Sequence, residues 1–116
     1  MDNGSTEPAV LDRAQLEEAT GGDADLIREL AELYVEDAES QLGTLRDASA
    51  AGQLEEVHRV AHGLKGSSAS IGATEAAAAF RALEMMGRTG ATVGLDEALT
   101  AAESAFERAR AALANL

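Results

Sequence analysis

Between residues 61 and 73, AHGLKGSSASIGA places an imidazole, an ammonium and three hydroxyls in one short run interleaved with glycine. His62 and Lys65 are three residues apart, which makes them neighbours on the surface of a helix. Lys65 is the sole lysine among nine basic residues. An ammonium beside an imidazole favours a negative group placed on the ring, modestly because the pair is exposed. Gly66 removes a side chain next to the imidazole, although glycine in a helix interior costs about 0.5–1 kcal/mol against alanine. It faces outward with His62, so the cleared space suits something pressing from outside. Ser67 and Ser68 are small hydroxyls without an acid set to orient His62 as their base, which argues against acyl transfer. His58 and His62, spaced i and i+4, could bind a metal with Glu55 as a third ligand. The chain has no cysteine and no HExxH pattern to strengthen that alternative.

These residues need a helix whose other face is buried. At 100° per residue, Val57, Val60, Ala61, Leu64, Ser68 and Ile71 form one stripe, and His62 lies more than about 100° from its middle. Glu55, His58, Arg59, Lys65, Gly66 and Ala69 share the outward face with His62.

The remaining elements follow the same period. The chain has 116 residues, 46% of them hydrophobic and many of those alanine, with Tyr34, Phe80 and Phe106 as the aromatics and Pro8 as the one proline. The spacing predicts a short helix from about Leu11 to Ala19, with Asp12 and Gln15 as a capping box. A long helix follows Asp23, from Ala24 to about Ala50, on a stripe of Leu26, Ile27, Leu30, Leu33, Tyr34, Ala38, Leu42 and Leu45. The helix bearing His62 begins near Leu54 and ends at Gly72. A further one, capped by Thr74, carries Phe80, Leu83 and Met86 and stops in Gly87-Arg88-Thr89-Gly90. The last runs from about Leu95 to Asn115. Short glycine-containing links make neighbours antiparallel, so the expected fold is all-α: an up-down-up-down four-helix bundle with a short additional N-terminal helix. Residues 1–9 are expected to be a flexible segment and 10–116 the bundle.

Charge restricts the partners. The net charge of −12 disfavours nucleic acid, which requires surplus Lys and Arg. Residues 1–56 hold 15 acids and 3 arginines, whereas residues 57–116 hold 6 of each sign, so the half containing His62 is neutral. There is no signal-peptide pattern and no apolar run of the ~20 residues a membrane span needs, so a cytoplasmic protein is expected.

The run His62-Gly63-Leu64-Lys65-Gly66-Ser67-Ser68, with Gly72-Ala73 following, resembles the histidine-containing phosphotransfer (HPt) domain. The upstream stretch ELAELYVEDAESQLGTLRDASAAGQLEEVHRVAH is similar to the family's long helix, turn and approach to the histidine. The resemblance extends over roughly residues 10–115. It implies a bacterial-type two-component phosphorelay protein that accepts a phosphoryl group on His62 and passes it to or from the aspartate of a response-regulator receiver. It further implies that Lys65 steadies the phosphoryl oxygens, joined by Arg88, and that Gly66 gives the receiver access. Glu84 would orient the histidine through Nδ1. Ser67, Ser68 and Gly72 would be supporting residues, and Leu33, Tyr34, His58, Arg59 and Ala69 the receiver-docking surface. The expected partners are a receiver domain and a hybrid sensor kinase. The chain would act as a monomer without autokinase activity, with no cofactor of its own and Mg²⁺ supplied by the receiver. The competing expectation is a non-catalytic helical adaptor in which the histidine is incidental.

Overall fold

The computed structural model describes residues 8–116, so most of the N-terminal segment, residues 1–7, lies outside the described residues. Five helices follow: α1 (Arg13–Thr20), α2 (Ala24–Ala50), α3 (Leu54–Ser70), α4 (Thr74–Thr89) and α5 (Leu95–Ala114). Among the described residues there is no strand, and α2 to α5 form the bundle that α1 precedes.

Asp23 caps α2 as its sequence suggests, its carboxylate accepting from the amides of Asp25 and Leu26. α1 begins two residues later than expected, because Asp12 is itself the cap and accepts from the Gln15 amide at 3.1 Å. The expected capping box is only half made. The Gln15 side chain turns away and donates to the Ala69 carbonyl at 2.6 Å, tying α1 to the end of α3. Two backbone bonds reinforce that junction: Asp12 N–H to Gly72 O at 2.7 Å and Glu75 N–H to Ala9 O at 2.8 Å. Gly72, at φ +81°, is needed there, since a Cβ would stand 2.7 Å from the Asp12 carbonyl.

Small residues set how closely the helices approach. Phe80, Leu83, Leu64, Leu42, Leu45, Val57, Val60 and Phe106 fill the core, with Ala38, Ala61, Ala76, Ala102 and Ala109 completely or nearly buried between them. The stripe expected on α2 is narrower than its apolar residues suggest. Ala31, Tyr34, Ala38, Leu42 and Leu45 face inward, whereas Leu33 is 61% exposed and Leu26 is exposed as well. These two are seven residues apart, on the flank of the buried set.

One expected helix cap moves. Thr74 is the first residue of α4 and not its cap; Ala73 occupies that position, and the Thr74 hydroxyl donates to the Gly72 carbonyl at 3.3 Å. α4 stops within Gly87–Gly90 as expected, ending at Thr89 and closing on Gly90 in the left-handed region at φ +77°. Gly87 lies within α4 and packs directly on α3. A Cβ there would stand 2.6 Å from the His58 amide nitrogen and 2.8 Å from the Leu54 carbonyl oxygen.

Candidate functional site

The close α3–α4 approach at Gly87 delivers Glu84, one turn earlier on α4, to the outward face of α3. Its carboxylate is the centre of the site. Glu84 Oε2 lies 2.5 Å from His62 Nδ1, and Oε1 lies 2.7 Å from Lys65 Nζ. His58 Nε2 is 3.8 Å from the same Oε2. The Glu84 side chain is only 13% exposed, whereas that of His62 is 65% exposed.

Hydrogen bonds from Lys65 and then His62 hold the Glu84 carboxyl down to about 2, so it is ionised throughout the neutral range. An ionised carboxylate only accepts hydrogen bonds. Nδ1 of His62 therefore carries a proton and donates it, and in the neutral ring the lone pair is on Nε2 of a largely exposed side chain. A nucleophilic nitrogen facing solvent, with its tautomer fixed from behind, is suited to taking a group from a bulky donor.

Lys65 sits at the rim of this arrangement, engaged with Glu84. Gly66 is exposed, and a Cβ on it would touch nothing within 4 Å. No contact within the bundle requires glycine at that position. Beneath the site, Ser68 is fully buried and its Oγ pairs with the Tyr34 hydroxyl at 2.7 Å. Tyr34 is 7% exposed and its ring packs against Phe106 of α5, the centroids 5.9 Å apart. It cannot form part of a docking surface, which corrects that expectation; the hydroxyl finds its partner inside the bundle. Burial pushes the Tyr34 hydroxyl above its ordinary range, so it stays un-ionised.

The other expected site residues are more dispersed. Ser67 donates to the Leu64 carbonyl at 3.2 Å and stays within α3. Arg59 is exposed and held in a two-bond pair with Glu56, at 2.9 and 2.7 Å. Ala69 is exposed while its carbonyl accepts from Gln15. Arg88 lies one turn beyond Glu84 on α4 and rests on the Met85 sulfur at 3.1 Å. Sequence reasoning missed two contributors: Gly87, read as a turn residue, and His58 as a neighbour of Glu84. Gly87 does carry a signal, since it lies three residues after Glu84 within an uninterrupted helical period.

A family model of the Hpt domain matches residues 29–114. Among solved structures the chain is similar to histidine-containing phosphotransfer protein B (HptB) from Pseudomonas aeruginosa PAO1, with 26% sequence identity and a TM-score of 0.86. That likeness covers 91% of this chain and 92% of the other. Comparison with curated proteins returns no match.

Proposed function

The chain belongs to the Hpt domain family and is a histidine phosphotransfer protein of a phosphorelay; from that premise we propose that His62 carries the phosphoryl group. The observation that supports this choice is Glu84 held against Nδ1 of a ring that is otherwise largely exposed.

In the proposed step, His62 Nε2 attacks the phosphorus of a receiver's aspartyl phosphate. The N–P bond forms, the P–O bond to the aspartate breaks, and its electron pair leaves on the carboxylate. His62 keeps its Nδ1 proton throughout and becomes a phosphorylated imidazolium facing the Glu84 anion, so no base has to remove a proton. In reverse, an aspartate oxygen attacks the phosphorus and the N–P electron pair returns to Nε2. Both directions depend on positioning and charge neutralisation. Lys65 gives up part of its hold on Glu84 to meet the phosphoryl oxygens, and Arg88 approaches from the next turn of α4. Gly66 keeps the approach clear. Leu33, His58, Arg59 and Ala69 form the surface on which the receiver docks.

This reading assigns Mg²⁺ to the receiver and the ATP-dependent step to a hybrid sensor kinase. The chain itself acts as a cytoplasmic monomer without autokinase activity. Among the described residues no helix is long and apolar enough to cross a membrane.

Intact-mass measurement after incubation with phosphoramidate tests the assignment. The expected result is a gain of one phosphoryl group, labile to acid, stable to alkali and absent from His62→Gln. Phosphorylation of His62→Gln would move the acceptor elsewhere, and no gain from phosphoramidate or any phosphorylated receiver would favour the adaptor.

A further inference from the structure

Three basic side chains of α3, His58, His62 and Lys65, stand at i, i+4 and i+7 along one face, and all three approach the single carboxylate of Glu84. The two imidazoles share one oxygen, Oε2, at 3.8 and 2.5 Å, and their ring centroids are 6.4 Å apart. α4 fixes this spacing by packing on the His58 backbone, where Gly87 allows the approach. We propose that His58 is a positioning residue for the phosphoryl reaction: once protonated, it opposes protonation of His62 and keeps Nε2 available for attack at lower pH than Glu84 alone would allow.

Two effects of the geometry act in the same direction. A cation on His58 repels a second cation on His62, and it competes for the oxygen that would stabilise that second cation. Imidazoles change charge between about pH 5 and 8, where a lysine remains charged and a carboxylate held near 2 remains ionised. His58 is the imidazole that neighbours His62. The other charged groups near it are few. From α4 Glu84 faces it, with Arg88 one turn beyond; on α3 the flanking charges are Glu55, Lys65 and Arg59, the last tied to Glu56. Among the described residues, Glu84 is the one acid with an oxygen within 4.0 Å of a His58 ring nitrogen.

This inference rests on His62 being the acceptor, and its test separates the two. The rate of phosphorylation by phosphoramidate is measured across pH 5 to 8 for the full chain, His58→Gln and His58→Arg. The acid limb of the rate profile is expected at higher pH in His58→Gln, making that variant roughly threefold slower there than the unaltered chain. That factor is what Coulomb's law in water gives for unit charges about 6.4 Å apart. His58→Arg, with a permanent cation, should keep the limb at or below its original position. Because α4 meets His58 through backbone atoms, both variants retain the α3–α4 contact. Profiles that coincide, a limb that moves to lower pH in His58→Gln, or an arginine variant that behaves like the glutamine one would overturn the role of His58. Absence of phosphorylation in the unaltered chain at every pH would instead overturn the assignment of His62.

Discussion

At the residue scale, the chain uses a charged group, Glu84, to hold its histidine, and charge has consequences that a neutral amide would lack. Glu84→Gln preserves an oxygen for Nδ1–H but removes the anion that engages Lys65 and that, in the proposed step, would face the phosphorylated imidazolium. Phosphoryl acceptance is expected to slow in Glu84→Gln and to fall further, by about 10²-fold, in Glu84→Ala, where nothing fixes the tautomer; phosphoramidate kinetics on the two variants read the difference. Acid titration provides a second check. The carboxyl moves from 4.5 when unpaired to about 2 in the folded chain, so folding lowers its affinity for protons. Its ion pairs therefore contribute stability that is fully present above 4.5 and disappears as pH falls through 2. Acid unfolding monitored by circular dichroism should begin at higher pH in Glu84→Gln. His62, Lys65 and Gly66 were legible in the sequence because their spacing is local to one helix. The link from Glu84 to His62 became legible only through the family resemblance, since helical spacing on α4 says nothing about which side of α3 that face meets.

At the element scale, two glycines on neighbouring helices predict opposite outcomes for the same substitution. A Cβ on Gly66 meets nothing within 4 Å. Gly66→Ala should therefore raise the melting temperature, through about 0.5–1 kcal/mol of helix propensity, while slowing transfer with a receiver. A Cβ on Gly87 would collide with backbone atoms of His58 and Leu54, which cannot rotate away. Gly87→Ala should cost about 1–3 kcal/mol by overpacking and should also separate Glu84 from His62, lowering phosphoramidate reactivity along with stability. Thermal melts beside phosphorylation rates distinguish the pair: Gly66→Ala separates the two readouts, whereas Gly87→Ala lowers both. Most helices were legible within a residue or two, because amphipathic period and capping chemistry are local. Gln15 and Gly87 have roles that local spacing does not show, because each meets a different segment. Tyr34 and Leu33 illustrate the same limit, as adjacent apolar residues of which only one turns inward.

At the scale of the whole molecule, the surplus of acid is concentrated rather than spread. Residues 1–56 account for the entire net charge of −12, and α2 carries most of their exposed carboxylates. Two ion pairs between helices join exposed or half-buried groups: Arg46 with Glu103 links α2 to α5, and Arg108 with Glu75 at 2.8 Å links α5 to α4. Pairs of this kind contribute about 0–1 kcal/mol each and weaken as salt is added. Repulsion within the acidic half weakens with salt as well, but it opposes folding, and among the described residues only Asp25 and Glu56 of its carboxylates are ion-paired. The balance should favour screening. Raising sodium chloride from low ionic strength to about 0.3 M is therefore expected to increase the melting temperature by a few degrees, where about 1 kcal/mol corresponds to roughly 4–8 °C for a domain near this size. A melting temperature that fell with salt would mean that the interhelical ion pairs, and not the uncompensated acid of α2, set the electrostatic balance of the bundle.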